Sequence, residues 1–134
     1  FLIAREFVQE RGYRVLLDGL TMQTMFLVDR EKLGCDHAKL IWTPALADAG
    51  EEVKERLREL AAQSGGGKMI LCRCDTRESV EFGRSVGIDR FQGRFVEGLI
   101  AEDGRRRARL EHARLARRRT PARGPGAAPG PRLA

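Results

Sequence analysis

The fold of this chain is decided by residues 75–96, which read DTRESVEFGRSVGIDRFQGRFV. A mostly apolar strand is predicted just before this stretch, at residues 68–74. Asp75 is a plausible N-cap for the helix that follows, and Glu78 stands at capping-box spacing from it. Gly87 is expected to end that helix, and residues 88–96 to hold the next strand. The stretch therefore predicts one strand–helix–strand unit.

The same alternation of helix and strand recurs along the chain before residue 75. Helical periodicity covers residues 2–10, 21–33 and 51–63, and short apolar runs at 13–17 and 37–42 are typical of buried strands. Four helix–strand units predict an α/β fold with a parallel sheet. They amount to half of an eight-stranded (β/α) barrel, since a complete barrel needs about 250 residues. An open doubly wound sheet has the same local pattern and remains an alternative.

Charge divides the chain into two predicted parts. Residues 1–103 hold 15 Lys and Arg against 18 Asp and Glu, a balance of −3, whereas residues 104–134 hold 10 Arg against one acid, a balance of +9. The first part is predicted to be the folded domain. The second is an Arg-rich and Pro/Gly/Ala-rich tail, expected to be helical over residues 105–119 and disordered from 120 to 134.

Polar residues gather where the predicted strands end. In parallel β/α folds the ligand site lies at the carboxyl ends of the strands. Reading those ends gives a small set with two carboxylates, one amine and one amide, namely Asp18, Lys39, Asp75 and the pair Gln92–Gly93. These are the candidate ligand-binding residues.

Four short segments then resemble a known family. Residues 12–18, 38–40, 74–76 and 92–93, in this order and at these spacings, are similar to motifs in the C-terminal half of the EAL domain. That family contains cyclic di-GMP phosphodiesterases and their inactive relatives, built on a modified (β/α)8 barrel. The resemblance covers about residues 1–102. It implies the C-terminal half of a TIM-like barrel and a link to cyclic di-GMP signalling in bacteria.

Several family positions are kept in this chain. The resemblance implies that Asp18 corresponds to a metal ligand of active members and Lys39 to their catalytic lysine. Asp75 stands where the family has a glutamate, and Gln92–Gly93 matches a family Gln-Gly pair. On this basis Asp18 is a remnant metal ligand, and the other residues are candidates for contact with a nucleotide.

Other family carboxylates are missing. Gly19, Ile41 and Cys72 stand where the family has acidic residues, and the Glu-Ala-Leu signature itself is absent. Hydrolysis with two metal ions needs several carboxylates that converge on the cations, and hard cations require oxygen ligands. Glycine and isoleucine supply no ligand atom, and cysteine supplies a soft sulfur. The chain is therefore interpreted as a degenerate EAL domain with no cofactor expected.

Three functions remain open from the sequence. The first is a catalytically inactive regulatory domain that acts through protein contacts or through residual binding of cyclic di-GMP. The second is an active phosphodiesterase fragment completed by a missing N-terminal half, which would require Mg²⁺ or Mn²⁺. The third is binding of nucleic acid or another anionic surface by the Arg-rich tail, through phosphate contacts and without stacking on bases.

Location and assembly follow from simpler features. The three cysteines form no disulfide framework, which favours a reducing cytoplasm. The sequence opens on Phe1 with no starting Met, which suggests a fragment of a longer protein. A half-barrel has two open sheet edges, so residues 1–103 are expected to associate with a second copy or with a missing half.

Overall fold

The computed structural model describes residues 1–65, 67–120, 126 and 130–133. Its elements, in chain order, are α1 (Leu2–Gln9), β1 (Leu16–Leu20), α2 (Arg30–Leu33), β2 (His37–Ile41), α3 (Pro44–Ala47), α4 (Glu51–Ser64), β3 (Met69–Cys72), α5 (Arg77–Ser85), β4 (Arg90–Phe91) and α6 (Arg94–Arg119). The four strands form one parallel sheet in the order β1-β2-β3-β4. The predicted α/β class with a parallel sheet is confirmed.

The core lies on one face of the sheet. Alternate residues of the two central strands, Ala38 and Leu40 in β2 and Met69 and Leu71 in β3, are buried. They form one apolar cluster with residues of α3, α4 and α5, such as Leu46, Leu57 and Val80. Because side chains alternate along a strand, the residues between them lie on the other face, and these are only partly buried.

The predicted helix at residues 21–33 is wrong over most of its length. Residues 22–27 form turns, and only α2 is helical. The Thr24 backbone amide donates to the hydroxyl of Thr21 at 3.3 Å. The Lys32 amide donates to the carboxylate of Asp29 at 3.1 Å, so the short helix begins there. These short polar side chains compete for the amides that a continuous helix would use.

Two predicted strands also differ from the structure. The first was predicted at 13–17, but β1 occupies Leu16–Leu20. The last was predicted at 88–96, but β4 contains only Arg90–Phe91, and α6 begins at Arg94. Phe95 and Val96 pack against the core from a helix. Apolar residues on the first turn of a helix are hard to distinguish from a strand end by periodicity alone.

The chain divides into two units at residue 100, Phe1–Leu99 and Ile100–Ala134. Helix α6 begins in the first and continues through the second to Arg119. The predicted helix at 105–119 is part of it. Most of the predicted disordered segment 120–134 lies outside the described residues.

In the described part of the chain, none of the helices combines the length and the apolar character that crossing a bilayer requires.

Asp36 ties the first helix to the start of the sheet. Its carboxylate accepts hydrogen bonds from the Val15 backbone amide at 2.7 Å and from the Gln9 side chain at 3.0 Å. Both hydrogen bonds lower the pKa of Asp36, and the bond from the Val15 amide has the larger effect. A carboxyl with a lowered folded-state pKa stabilises the protein above the pKa of the unfolded state. The stabilisation is lost as pH falls through the lower, folded-state pKa.

We therefore predict that Asp36→Asn lowers the free energy of unfolding by about 1 kcal/mol at pH 7. The difference from wild type should shrink as pH falls from about 4 to about 2. Urea denaturation at several pH values measures it, with exposed Asp48→Asn as the matched control. A difference that stayed constant down to pH 2 would contradict the assignment.

Candidate functional site

The sequence-predicted site residues come together at the carboxyl edge of the sheet. A cleft of about 380 Å³ opens there. All five candidate residues line it. The other lining residues are Ile41, Cys72, Arg73, Arg94 and Glu97. Segments far apart in sequence therefore build one concave surface.

A β-bulge sets the position of Asp18. Leu17 pairs with Ala38 and Leu20 with Leu40, so β1 has one more residue than β2 between these pairs. Gly19 occupies the bulge with φ +78°, a conformation that favours glycine. The predicted end of the strand at Asp18 is therefore wrong, because the strand continues beyond the bulge to Leu20.

Asp18 and Lys39 form an ion pair across the first two strands. The Lys39 Nζ lies 3.5 Å from the Asp18 Oδ2. The lysine side chain is 17% exposed and the aspartate side chain 63% exposed. Asp18 also accepts a hydrogen bond from the Gly19 amide at 2.7 Å. Because the carboxylate of this pair is exposed to solvent, the pair contributes little to stability, and the ammonium group can exchange this partner for an anionic ligand.

Asp75 caps a different helix from the one predicted. The N-cap of α5 is Thr76, whose hydroxyl accepts from the Ser79 amide at 3.4 Å. The predicted capping role of Asp75, with Glu78 at capping-box spacing, is therefore wrong by one residue. The Asp75 Oδ1 instead accepts from the Arg94 amide at 2.9 Å, at the first residue of α6. A carboxylate is favourable there because helix N-termini carry partial positive charge.

Gln92 and Gly93 are held against the end of β3 by the backbone. The Gln92 backbone amide donates to the Leu71 backbone carbonyl at 2.9 Å, and the Cys74 backbone amide donates to the Gln92 backbone carbonyl at 2.9 Å. Gly93 approaches Cys74 so closely that an added Cβ would overlap the Cys74 backbone. Glycine at this position is a packing requirement, and it places Gln92 on the wall of the cleft.

The thiol of Cys72 is poorly suited to act as a ligand or a nucleophile. Cys72 pairs with Ile41 across β2 and β3, so both lie on the same face as Lys39. Burial raises the pKa of Cys72, and the nearby Asp18 carboxylate raises it further. A raised pKa keeps the thiol protonated at neutral pH, whereas the thiolate is the reactive and metal-binding form.

The donor set does not fit a pair of divalent cations. Within residues 1–65 and 67–120, His, Cys, Asp and Glu nowhere form a group of three or more placed to hold a metal ion. Three carboxylates line the cleft: Asp18 faces an ammonium group, Asp75 accepts a hydrogen bond from a backbone amide, and Glu97 lies on α6. Ile41 and Cys72 offer no oxygen at the positions between them.

Three residues of the cleft were missed by sequence reasoning. Arg73 lies between the two cysteines with φ +59°, a conformation unusual for a residue other than glycine. Arg94 directly follows Gln92–Gly93, so its place in the motif was the available signal. Glu97 lies one helical turn later, and the wrong prediction of a strand there concealed it.

Comparison with protein-family models finds no match for this chain, and comparisons with curated proteins and with solved structures find none either. The functional interpretation therefore depends on the motifs and on the geometry of the cleft.

The close approach at Gly93 predicts a large effect of the smallest substitution. Gly93→Ala should destabilise the protein by about 2–4 kcal/mol, because the methyl group can fit only if β4 moves away from β3. Thermal denaturation measures the loss. Gly98→Ala is the matched control: Gly98 lies in α6 with open space around it, and alanine there should stabilise the helix by up to about 1 kcal/mol. Equal effects of the two substitutions would contradict the assignment.

Proposed function

We propose that this chain is a catalytically inactive, EAL-like regulatory domain, related to cyclic di-GMP phosphodiesterases and built as the C-terminal half of a (β/α)8 barrel. The observation that carries the proposal is the cleft at the carboxyl edge of the sheet. The residues that resemble the family motifs meet there, whereas Gly19, Ile41 and Cys72 stand at positions where hydrolysis would need carboxylates.

The strand order supports a half-barrel over a doubly wound sheet. A doubly wound sheet reverses its strand order at a switch point, whereas a barrel adds strands in one direction. The four strands here follow one another without reversal. The exposure of the two faces agrees with this, because the face that would line a barrel interior, with Lys39, Ile41 and Cys72, is only partly buried.

The chemistry of the cleft supports binding rather than hydrolysis. Lys39, Arg73 and Arg94 supply three cationic side chains around the cleft, and Gln92 supplies an amide that can donate and accept. The guanidinium groups of the arginines and the ammonium group of the lysine can donate hydrogen bonds to the phosphates of a cyclic dinucleotide. Family members carry carboxylate ligands at the positions of Gly19, Ile41 and Cys72. Without those ligands, the anion-binding groups would have no metal ion beside them to activate water.

Calorimetric titration of cyclic di-GMP tests this proposal, first with magnesium and then with the metal chelated. We expect micromolar binding that does not depend on the metal, with no linear dinucleotide product after prolonged incubation. Lys39→Met should weaken binding by at least tenfold, because a charged contact to phosphate is lost. Lys68→Met is the matched control, since Lys68 precedes β3 at the amino edge of the sheet.

Other results would redirect the interpretation. Formation of linear dinucleotide that a chelator abolishes would overturn the proposal in favour of the active phosphodiesterase fragment. If the titration gives no binding heat and no linear dinucleotide forms, nucleotide binding is excluded, and protein contacts are left as the regulatory mechanism.

Assembly of the half-barrel is the second element of the proposal. Strand β1 is at the edge of the sheet, and helix α1 before it has no buried residue. Most of its apolar side chains are open to solvent, with Ile3 85% and Phe7 55% exposed. A parallel sheet is normally covered on both faces and closed or capped at its edges, so this edge favours pairing with a second half-barrel.

We predict that the full chain sediments as a dimer or larger species at micromolar concentration. Ile3→Glu combined with Phe7→Glu should shift it toward the monomer, because buried charge is costly at an apolar contact. Leu115→Glu, a like change on an exposed residue of the second unit, should leave the sedimentation unchanged. A monodisperse, stable wild-type monomer would count against association through this edge.

A further inference from the structure

The second unit presents a long basic helix with charge on all sides. Residues 105–119 of α6 contain eight arginines and one glutamate, and every side chain from 104 to 119 is exposed. At 1.5 Å per residue this segment extends about 22 Å. The Asp103 carboxylate forms salt bridges with Arg106 (Nη2 to Oδ1, 2.8 Å) and with Arg107 (Nε to Oδ2, 2.6 Å). The other six arginines of the segment form no salt bridge within the described residues.

The angular distribution of these arginines decides between two kinds of anionic partner. With 100° of rotation per residue, the eight arginines leave no gap wider than about 100° around the helix axis. Glu111 lies inside the widest of these gaps, and Leu110 and Leu115 lie about 140° apart around the helix axis. A helix that binds a membrane surface needs a continuous apolar stripe opposite its charges. This segment has none, so a lipid surface is not favoured.

The same distribution suits a groove with phosphates on both walls. The major groove of B-form DNA is about 12 Å wide and admits an α-helix, which then has a phosphate backbone on each side. Arginines around the whole circumference can reach both backbones at once. A-form RNA has a deep and narrow major groove that does not admit a helix in this way.

We propose that residues 105–119 of α6 bind double-stranded DNA in the major groove, through phosphate contacts and with little sequence preference. None of residues 105–119 lines the cleft at the sheet edge, and the proposal does not depend on binding of a cyclic dinucleotide. The ion pairs of Asp103 with Arg106 and Arg107 are exposed and weak, so both arginines can exchange this partner for phosphate.

Fluorescence anisotropy of the full chain with a labelled 20-base-pair DNA duplex tests the proposal. Measured between 50 and 200 mM salt, the logarithm of the binding constant should fall against the logarithm of the salt concentration with a slope of about −4 to −5. This slope corresponds to about five phosphate contacts. Arms with a double-stranded RNA of the same length and with vesicles containing phosphatidylserine separate the possible partners.

A variant with four substitutions identifies the arginines that contact DNA. Changing Arg109, Arg114, Arg117 and Arg118 to glutamine should weaken DNA binding at least tenfold at 50 mM salt. It should also reduce the magnitude of the slope by about 3 to 4, since each lost contact accounts for about 0.9. The same four positions changed to lysine form the matched control, which keeps the charge and should keep most of the slope. Circular dichroism confirms equal helix content in the two variants.

Three outcomes would overturn the proposal. Unchanged DNA binding by the glutamine variant would exclude the helix as the binding surface. Equal or tighter binding of the RNA duplex would exclude a contact that depends on the major groove. Binding to the vesicles with no binding to either duplex would assign the helix to a membrane surface.

Discussion

The parallel pairing of β2 with β3 is the constraint from which the rest of the first unit follows. Ala38 pairs with Met69 and Leu40 with Leu71, and all four side chains are buried under the helices. Each of the three larger side chains contributes roughly 1.5–3 kcal/mol through apolar burial, and a slip of one residue would move the whole set to the other face. The register is therefore fixed by the core. As a consequence, Lys39, Ile41 and Cys72 must lie on the opposite face.

Two backbone features then shape the cleft at the edge of this sheet. The bulge at Gly19 sets Asp18 opposite Lys39, and the close approach of Gly93 to Cys74 brings Gln92 to the end of β3. Both features require glycine, one for its positive φ and one for lack of space. The geometry of the candidate site thus depends on residues that have no functional group.

The cleft combines three carboxylates with three cationic side chains. Asp18 neutralises Lys39, and Asp75 serves the first turn of α6 as a hydrogen-bond acceptor. Asp18 and Asp75 have structural partners, and the side chains of Arg73, Arg94 and Glu97 complete the charged part of the lining. Binding of an anionic ligand needs complementary charge and shape, whereas metal-dependent hydrolysis also needs ligands that hold the cations and activate water.

The sequence by itself determined the helix–strand alternation, the parallel α/β class, the division of charge and the set of residues at the strand ends. These properties are local, because they follow from periodicities of 2 and 3.6 residues and from composition. Only the tertiary structure decided that residues 22–27 form turns, that β1 continues through Asp18, and that Asp75 caps α6 instead of α5. Each of these depends on a partner that is distant in the chain or on competition between side chains and backbone for the same amide. Glu97 entered the cleft for the same reason: its place depends on where β4 gives way to α6, which packing decides and the pattern of apolar residues does not.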